Sequence, residues 1–262
     1  MYIPDSINSY LKGKPYFLDT KGMSGAIILM FPDMVLKIED DIEEGKREEV
    51  ILSWLSDRLY VPSLISTLCE GGKVYRLMER MKGFDLSSPI FLSSPQFLLD
   101  TIQSALNKMW NLDTLTCPIK RDLNVVLKEA EERVEKNLVD TIHINPGTFG
   151  KGGFSSPEAL LKWLYDNKPE EDKSFIHGDF CLPNIFLSIG KGVGFIDLSR
   201  SGIGDKWNDI ALISRSLEDN YNGRYNNGVS YSGYDRKMLF DRLGIREDKE
   251  KIRYYLLLDE LF

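Results

Sequence analysis

The first eighty residues alternate short apolar runs with Gly, Pro and Asp punctuation. YFLDT, AIILMF, MVLKIE, SLISTL and KVYRLMER predict the strands of a small sheet. Residues 42–58 break that period. Glu48, Ile51, Leu52 and Leu55 fall at i, i+3, i+4 and i+7, which predicts a helix whose buried stripe carries one carboxylate. Beyond Gly83 the period lengthens. Leu98, Leu99, Ile102, Ala105, Leu106, Met109 and Trp110 predict a helix, residues 121–139 a charged one and 157–167 a third, with the Gly-rich loop NPGTFGKGGFSSP between the last two. IFLSI and VGFIDL, joined by GKG, predict a hairpin, and helices follow at about 207–219, 235–243 and 248–261. The pattern therefore predicts an α+β, bilobal chain. A β-rich N-terminal lobe spans 1–80, a connection lies near 79–83, and a mainly helical lobe spans 81–262.

Composition narrows the partners. A formal net charge of −7 repels a phosphate backbone, so nucleic acid is not expected and a cationic small molecule is electrostatically easier to bind. No apolar run approaches the roughly 20 residues that span a bilayer, and MYIPDSINSYLKGKPYF lacks the basic-then-apolar order of a signal peptide. The expectation is a cytoplasmic protein without a membrane partner. Cys69, Cys117 and Cys181, with His143 and His177, give no disulfide or metal-finger spacing, and reduced thiols fit that compartment.

Chemistry enters with Lys37, in the middle of MVLKIE. Strand alternation puts it on one face with Val35 and Glu39, opposite Met34, Leu36 and Ile38. A lysine on such a face needs an anion, and Glu48 on the next helix is the nearest candidate; a strand lysine paired with a helix glutamate is how kinases hold the α- and β-phosphates of ATP. One strand upstream, KGMSGAI is a small-residue turn whose backbone N–H groups can approach phosphate closely. The strongest signal is His177-Gly178-Asp179, then Asn184 five residues past the aspartate, then the hairpin, then Asp197 in FIDLSR. Phosphoryl transfer needs a carboxylate to receive or orient the attacking hydroxyl, and oxygen ligands for Mg²⁺ on the phosphates; this order supplies them. In the protein-kinase signature the corresponding parts are H-R-D-x-x-x-x-N and D-F-G. His177 has no obligatory proton to move and is expected to position the loop by hydrogen bonding. Cys181 has no neighbouring histidine to activate it and is not expected to be a nucleophile.

HGDFCLPNIF, GFIDLSRSGIGDKWNDIA and the terminal YYLLLDELF, together with VLKI and GMSGA, resemble the aminoglycoside 3′-phosphotransferase family, relatives of eukaryotic-like kinases, over nearly the whole chain. The resemblance implies a protein-kinase-like fold and transfer of the ATP γ-phosphate, with GTP open as a second donor, to a hydroxyl of a kanamycin- or neomycin-type antibiotic. It implies that Asp179 orients or deprotonates the hydroxyl, that Asn184 and Asp197 hold Mg²⁺, and that Lys37, fixed by Glu48, contacts the α/β-phosphates. Met23, Ser24 and Gly25 would cover the phosphates, and Met78, Glu79 and Met81 would line the adenine side. Val35 stands where relatives place an aromatic ring over the base. Arg200 would sit beside the transferred phosphoryl or organise the substrate loop.

The chain end carries Asp259, Glu260 and the Phe262 carboxylate, which the resemblance assigns to an ammonium-binding surface. A helix C-terminus prefers cations, so this end is expected to meet something positive. NPGTFGKGGF departs from the family in lacking the acidic residues that relatives use against substrate amines. The alternatives are a kinase for another small hydroxylated metabolite or antibiotic, or a nucleotide-binding pseudokinase; intact Lys37, Asp179, Asn184 and Asp197 weigh against the latter. HGD in place of HRD, with no A-P-E following, weighs against a protein kinase. The oligomeric state is open, with a monomer favoured.

Overall fold

A computed structural model describes residues 2–19, 25–40, 42–141, 144–145, 147–226 and 228–262. The elements run α1 (Asp5–Leu11), β1 (Phe17–Asp19), β2 (Ile27–Met30), β3 (Met34–Glu39), α2 (Ile42–Leu55), β4 (Leu64–Glu70), β5 (Lys73–Glu79) and β6 (Phe84–Asp85). There follow α3 (Pro89–Leu92), α4 (Pro95–Trp110), α5 (Leu123–Glu135), α6 (Pro157–Asp166), β7 (Lys173–Ile176), β8 (Ile185–Ser188), β9 (Gly192–Phe195), β10 (Gly202–Asp205), α7 (Lys206–Tyr221), α8 (Arg236–Leu243) and α9 (Lys249–Asp259). The chain divides into two compact units. One is Met1–Asp85 with Asn184–Arg200, the other Leu86–Pro183 with Ser201–Phe262.

In the first unit five of the described strands form an antiparallel sheet of order β1-β2-β3-β5-β4. Strand alternation sorts β3 as its sequence requires. Met34, Leu36 and Ile38 enter a core with Leu29, Phe31, Tyr75 and Leu77, closed by Ile7 and Leu11 of α1. The other face of the same strands carries Val35, Lys37 and Glu39, which lie in register with Met78, Arg76 and Val74 of β5. The pleat thus separates a dry face from a charged one. Ile51, Leu52 and Leu55 of α2 are buried, and α2 packs on β4 and β5. At seven residues, α1 is too short to show in the sequence pattern.

The predicted hairpin is β8–β9, and its first strand, β8, also pairs with β6 through Phe84↔Leu187 and Asp85↔Phe186. That pairing helps to group residues 184–200 with the N-terminal segment rather than with the chain segments flanking them. Gly83 (φ 108°) enters β6 so close to β8 that a Cβ there would collide with the Leu187 carbonyl.

The second unit is built on helices with explicit caps. Asp122, Ser156, Asp205, Asp235 and Asp248 each accept a backbone N–H in the first turn of α5, α6, α7, α8 and α9. Helix α7 packs on α9, and α9 also meets α6. Tyr254 and Tyr255 of α9 donate their buried hydroxyls to Leu164 O (3.0 Å) and Asp205 Oδ2 (2.6 Å). Strands β7 and β10 pair from Gly202↔Ile176 to Asp205↔Lys173, a two-stranded element that the sequence pattern did not show. Among the described residues no helix is long and apolar enough to cross a membrane.

Gly83→Ala should destabilise the protein by about 2 kcal/mol or more, because it adds backbone strain to a collision that the β6–β8 pairing cannot relieve. Denaturant unfolding with an unchanged midpoint would contradict this reading of the hairpin's attachment.

Candidate active site

The charged face of the sheet is the first unit's chemical centre. Lys37 is 6% exposed, and its ammonium lies 2.8 Å from Glu39 Oε1, 3.1 Å from Glu48 Oε2 and 2.8 Å from Asp197 Oδ1. Burial alone would lower the lysine's pKa. The three carboxylates reverse that, and it stands well above its ordinary value, so Lys37 is a permanent cation. Burial pushes the Glu39 carboxyl upward, against the pull of Lys37 and Arg76. The sequence singled out Lys37 and Glu48, and the structure brings them together. It adds Arg76, wholly buried, whose Nη1 reaches Glu39 Oε2 at 2.9 Å and Glu48 Oε2 at 2.5 Å. The available signal was an arginine between Val74 and Met78 on one face of an otherwise apolar strand.

The segment after β9 is tied to the same cluster. Phe195 donates its N–H to Tyr60 O, and Ile196 to Asn184 O at 3.0 Å, which sets Asn184 beside the approach to Asp197. Asp197 is one of the few non-glycine residues with positive φ (58°) among the described residues, a turn that delivers its carboxylate to Lys37. Leu198 then donates its N–H to Glu48 Oε1 (3.1 Å), and Ser199 its hydroxyl to Glu44 Oε1 (2.7 Å). Arg200 Nε lies 3.8 Å from that same Glu44 oxygen. Glu48 therefore binds the lysine, the arginine and the segment carrying Asp197.

Asn184 and Asp197 fit a Mg²⁺ ion by their chemistry. Both present hard oxygen donors, and Mg²⁺ characteristically takes one or two protein ligands with phosphate oxygens and water filling the rest. Among the described residues no group of three His, Cys, Asp or Glu could hold a metal without such help.

In the second unit, β7 ends at Ile176 and the chain enters His177-Gly178-Asp179. The loop backbone is held by side chains of α7. Asp209 accepts the N–H groups of His177 (2.8 Å) and Gly178 (2.9 Å), Asn208 donates to Gly178 O, and Ser216 Oγ accepts from Leu182 N. His177, fully buried, accepts the Asp179 N–H on Nδ1 at 3.3 Å, and its carbonyl accepts from Ser201 Oγ. It positions the loop, as expected. Asp179 is half-buried. Asp209 was not anticipated; its only sequence signal is an acid within the apolar run of NDIALIS.

The remaining expected residues divide. Val35 and Met78 face each other across β3 and β5. Met81 lies against Gly194 and Tyr60, so closely that a Cβ at Gly194 would meet its Cε. Glu79 and Gly25 are exposed, while Met23, Ser24 and His143 lie outside the described residues. At the chain end, the expected cation is supplied from within the second unit. Arg215 of α7 reaches Asp259 Oδ2 at 2.5 Å and Glu260 Oε1 at 3.8 Å. Arg133 donates to Leu261 O and Phe262 O and stacks its guanidinium over the Phe262 ring. The acid-free loop also comes to this end, for the Asn145 backbone N–H and side-chain amide both bond Glu260.

Burial, partly offset by His177 and the loop N–H groups, raises the Asp209 carboxyl to about 6. Asp209→Asn keeps one acceptor but turns an amide N–H against the loop, and should cost about 1–3 kcal/mol. A carboxyl with a raised folded pKa binds its proton more tightly when folded. The stability of the wild type relative to Asp209→Asn should therefore fall as pH rises from about 4 to 6 and then level off. A difference that grew over that range in denaturant unfolding would contradict the assignment.

Comparison with known proteins gives the family and the fold. The profile of the phosphotransferase enzyme family matches residues 16–240. An aminoglycoside 3′-phosphotransferase of Niallia circulans is 36% identical over 80% of this chain and 76% of its own length, and one of Enterococcus faecalis is 33% identical over 93% and 92%. An aminoglycoside phosphotransferase of Streptomyces rimosus, at 23% identity and a TM-score of 0.76 over 99% of both chains, shares the fold, and its structure is also known with ADP and streptomycin. The fold is thus α+β and kinase-like, and the chain belongs to the phosphotransferase enzyme family.

Proposed function

We propose that the chain transfers the γ-phosphoryl group of ATP to a ring hydroxyl, the 3′ position, of a kanamycin- or neomycin-type aminoglycoside, and so confers resistance. The observation that carries this reading is Lys37. A buried ammonium kept charged by three carboxylates is a fixed cation on a sheet face, as an α/β-phosphate site requires. The named activity of relatives more than 30% identical supports the substrate class.

In this reading Lys37 binds the α- and β-phosphates and Glu48 holds it in place. Val35, Met78, Glu79 and Met81 form the adenine side, with Val35 packing on the base as an aliphatic surface. Asn184 and Asp197 hold Mg²⁺, which when bound spreads the charge on the phosphate oxygens. As the sugar oxygen attacks the γ-phosphorus, Asp179 takes its proton. The bond from that phosphorus to the β–γ bridging oxygen breaks and ADP departs. Arg200, turned toward Glu44, organises the segment after Asp197. Asp259 and Glu260 bind substrate ammonium groups in competition with Arg215, which favours substrates carrying several positive charges. The reaction belongs in the cytoplasm, with its ATP.

A coupled ADP-release assay with kanamycin, neomycin, amikacin and choline tests this reading. Turnover is expected with the aminoglycosides and not with choline. Asp179→Asn should lower kcat by roughly 10²-fold or more while nucleotide binding persists. Turnover of choline alone would reassign the substrate, and an Asp179→Asn variant within about threefold of wild type would remove that residue from the chemistry.

A further inference from the structure

Lys37 and Arg76 are direct cross-strand neighbours on β3 and β5, and they share carboxylates rather than each having its own. Glu39 gives Oε1 to Lys37 and Oε2 to Arg76; Glu48 gives the same Oε2 to both. Arg76 Nη2 adds a bond to Gly45 O (2.5 Å), which fixes the guanidinium to α2. Gly45 is itself informative. It sits inside a helix, where glycine costs about 1 kcal/mol against alanine, and a Cβ there would lie 2.9 Å from Arg76 Nη2 and 3.0 Å from Val74 Cγ2. The helix thus accommodates the arginine at the expense of its own propensity.

Stability does not account for this arrangement. Burying a guanidinium costs several kcal/mol, apolar replacements of buried ion groups are often neutral or better, and Arg76 Nε has no hydrogen-bond partner. Charge does. Without Arg76, Lys37 would stand alone against Glu39 of its own strand, Glu48 of α2 and Asp197, and all would draw its ammonium away from a phosphate. With Arg76, Glu39 and Glu48 are shared between two cations.

We propose that Arg76 is a positioning residue for nucleotide binding: with Nη2 anchored on Gly45 O, its Nη1 takes up charge from both Glu39 and Glu48 and leaves the Lys37 ammonium available to the α/β-phosphates. The proposal rests on the reading that Lys37 contacts those phosphates. Arg76 itself touches no substrate.

Calorimetric titration of ADP with Mg²⁺, beside steady-state kinetics, tests it in Arg76→Met, Arg76→Lys, Arg76→Met/Glu39→Gln and Lys37→Met. Arg76→Met should weaken nucleotide by roughly tenfold or more, the range for losing an outer partner of a ligand-binding group, with the aminoglycoside KM within about twofold. Glu39→Gln added to Arg76→Met removes the surplus negative charge and should restore a large part of the affinity. Arg76→Lys, which preserves the charge where Arg76→Met unfolds the chain, has no second nitrogen to anchor on Gly45 O while the first meets both glutamates, and should still bind nucleotide several-fold more weakly than wild type. Wild-type nucleotide affinity in Arg76→Met or Arg76→Lys overturns the proposal, as does a double variant no better than Arg76→Met. Lys37→Met separates the two readings. If it weakens nucleotide while the Arg76 variants do not, only the role of Arg76 fails; if it too binds as wild type, the phosphate assignment of Lys37 fails.

Discussion

One buried ammonium organises the first unit. Lys37 can stay on the inner face of a sheet only because carboxylates surround it, and each carboxylate arrives on a different stretch of chain: Glu39 on the same strand, Glu48 on α2, Asp197 after the β8–β9 hairpin. An unpaired buried cation would cost several kcal/mol, so the helix, the strand and the hairpin exit are held to one arrangement by electrostatics as much as by packing. Glu48 is the joint of the set, since its two oxygens serve Lys37, Arg76 and the Leu198 N–H together.

The second unit solves a different problem, which is how to hold the His177-Gly178-Asp179 loop without regular structure. Its answer is helix α7. Asp209, Asn208 and Ser216 satisfy loop backbone groups that would otherwise be buried unpaired, and His177 turns its ring nitrogen to the Asp179 N–H. The same helix sends Arg215 to the acidic end of α9. That end is thus an ion-paired surface rather than a bare anionic one.

Much of this was legible in the chain because it is local or fixed by chemistry. Strand alternation alone set Lys37 opposite Leu36 and Ile38, and the spacing of Asp179, Asn184 and Asp197 could be read because the kinase signature is a pattern of chain distances. What stayed hidden is what depends on register and distant pairing. Arg76 meets Lys37 only through the β3–β5 ladder, β7 finds β10 across a loop and a hairpin, and Arg215 and Arg133 reach the chain end from helices far back in sequence. Short elements such as α1 carry too few residues for a period. Asp209 looks like any other acid on a helix until its two N–H partners are seen.

In the function proposed above, the carboxylate turned onto Lys37 is also the one that meets the metal of the nucleotide. Electron paramagnetic resonance of Mn²⁺, titrated with and without a non-hydrolysable ATP analogue, reads this directly. The account predicts nucleotide-dependent Mn²⁺ binding in the wild type that weakens by about tenfold or more in Asp197→Asn, while the fold and metal-free nucleotide binding persist. Mn²⁺ binding of unchanged affinity in Asp197→Asn would contradict it.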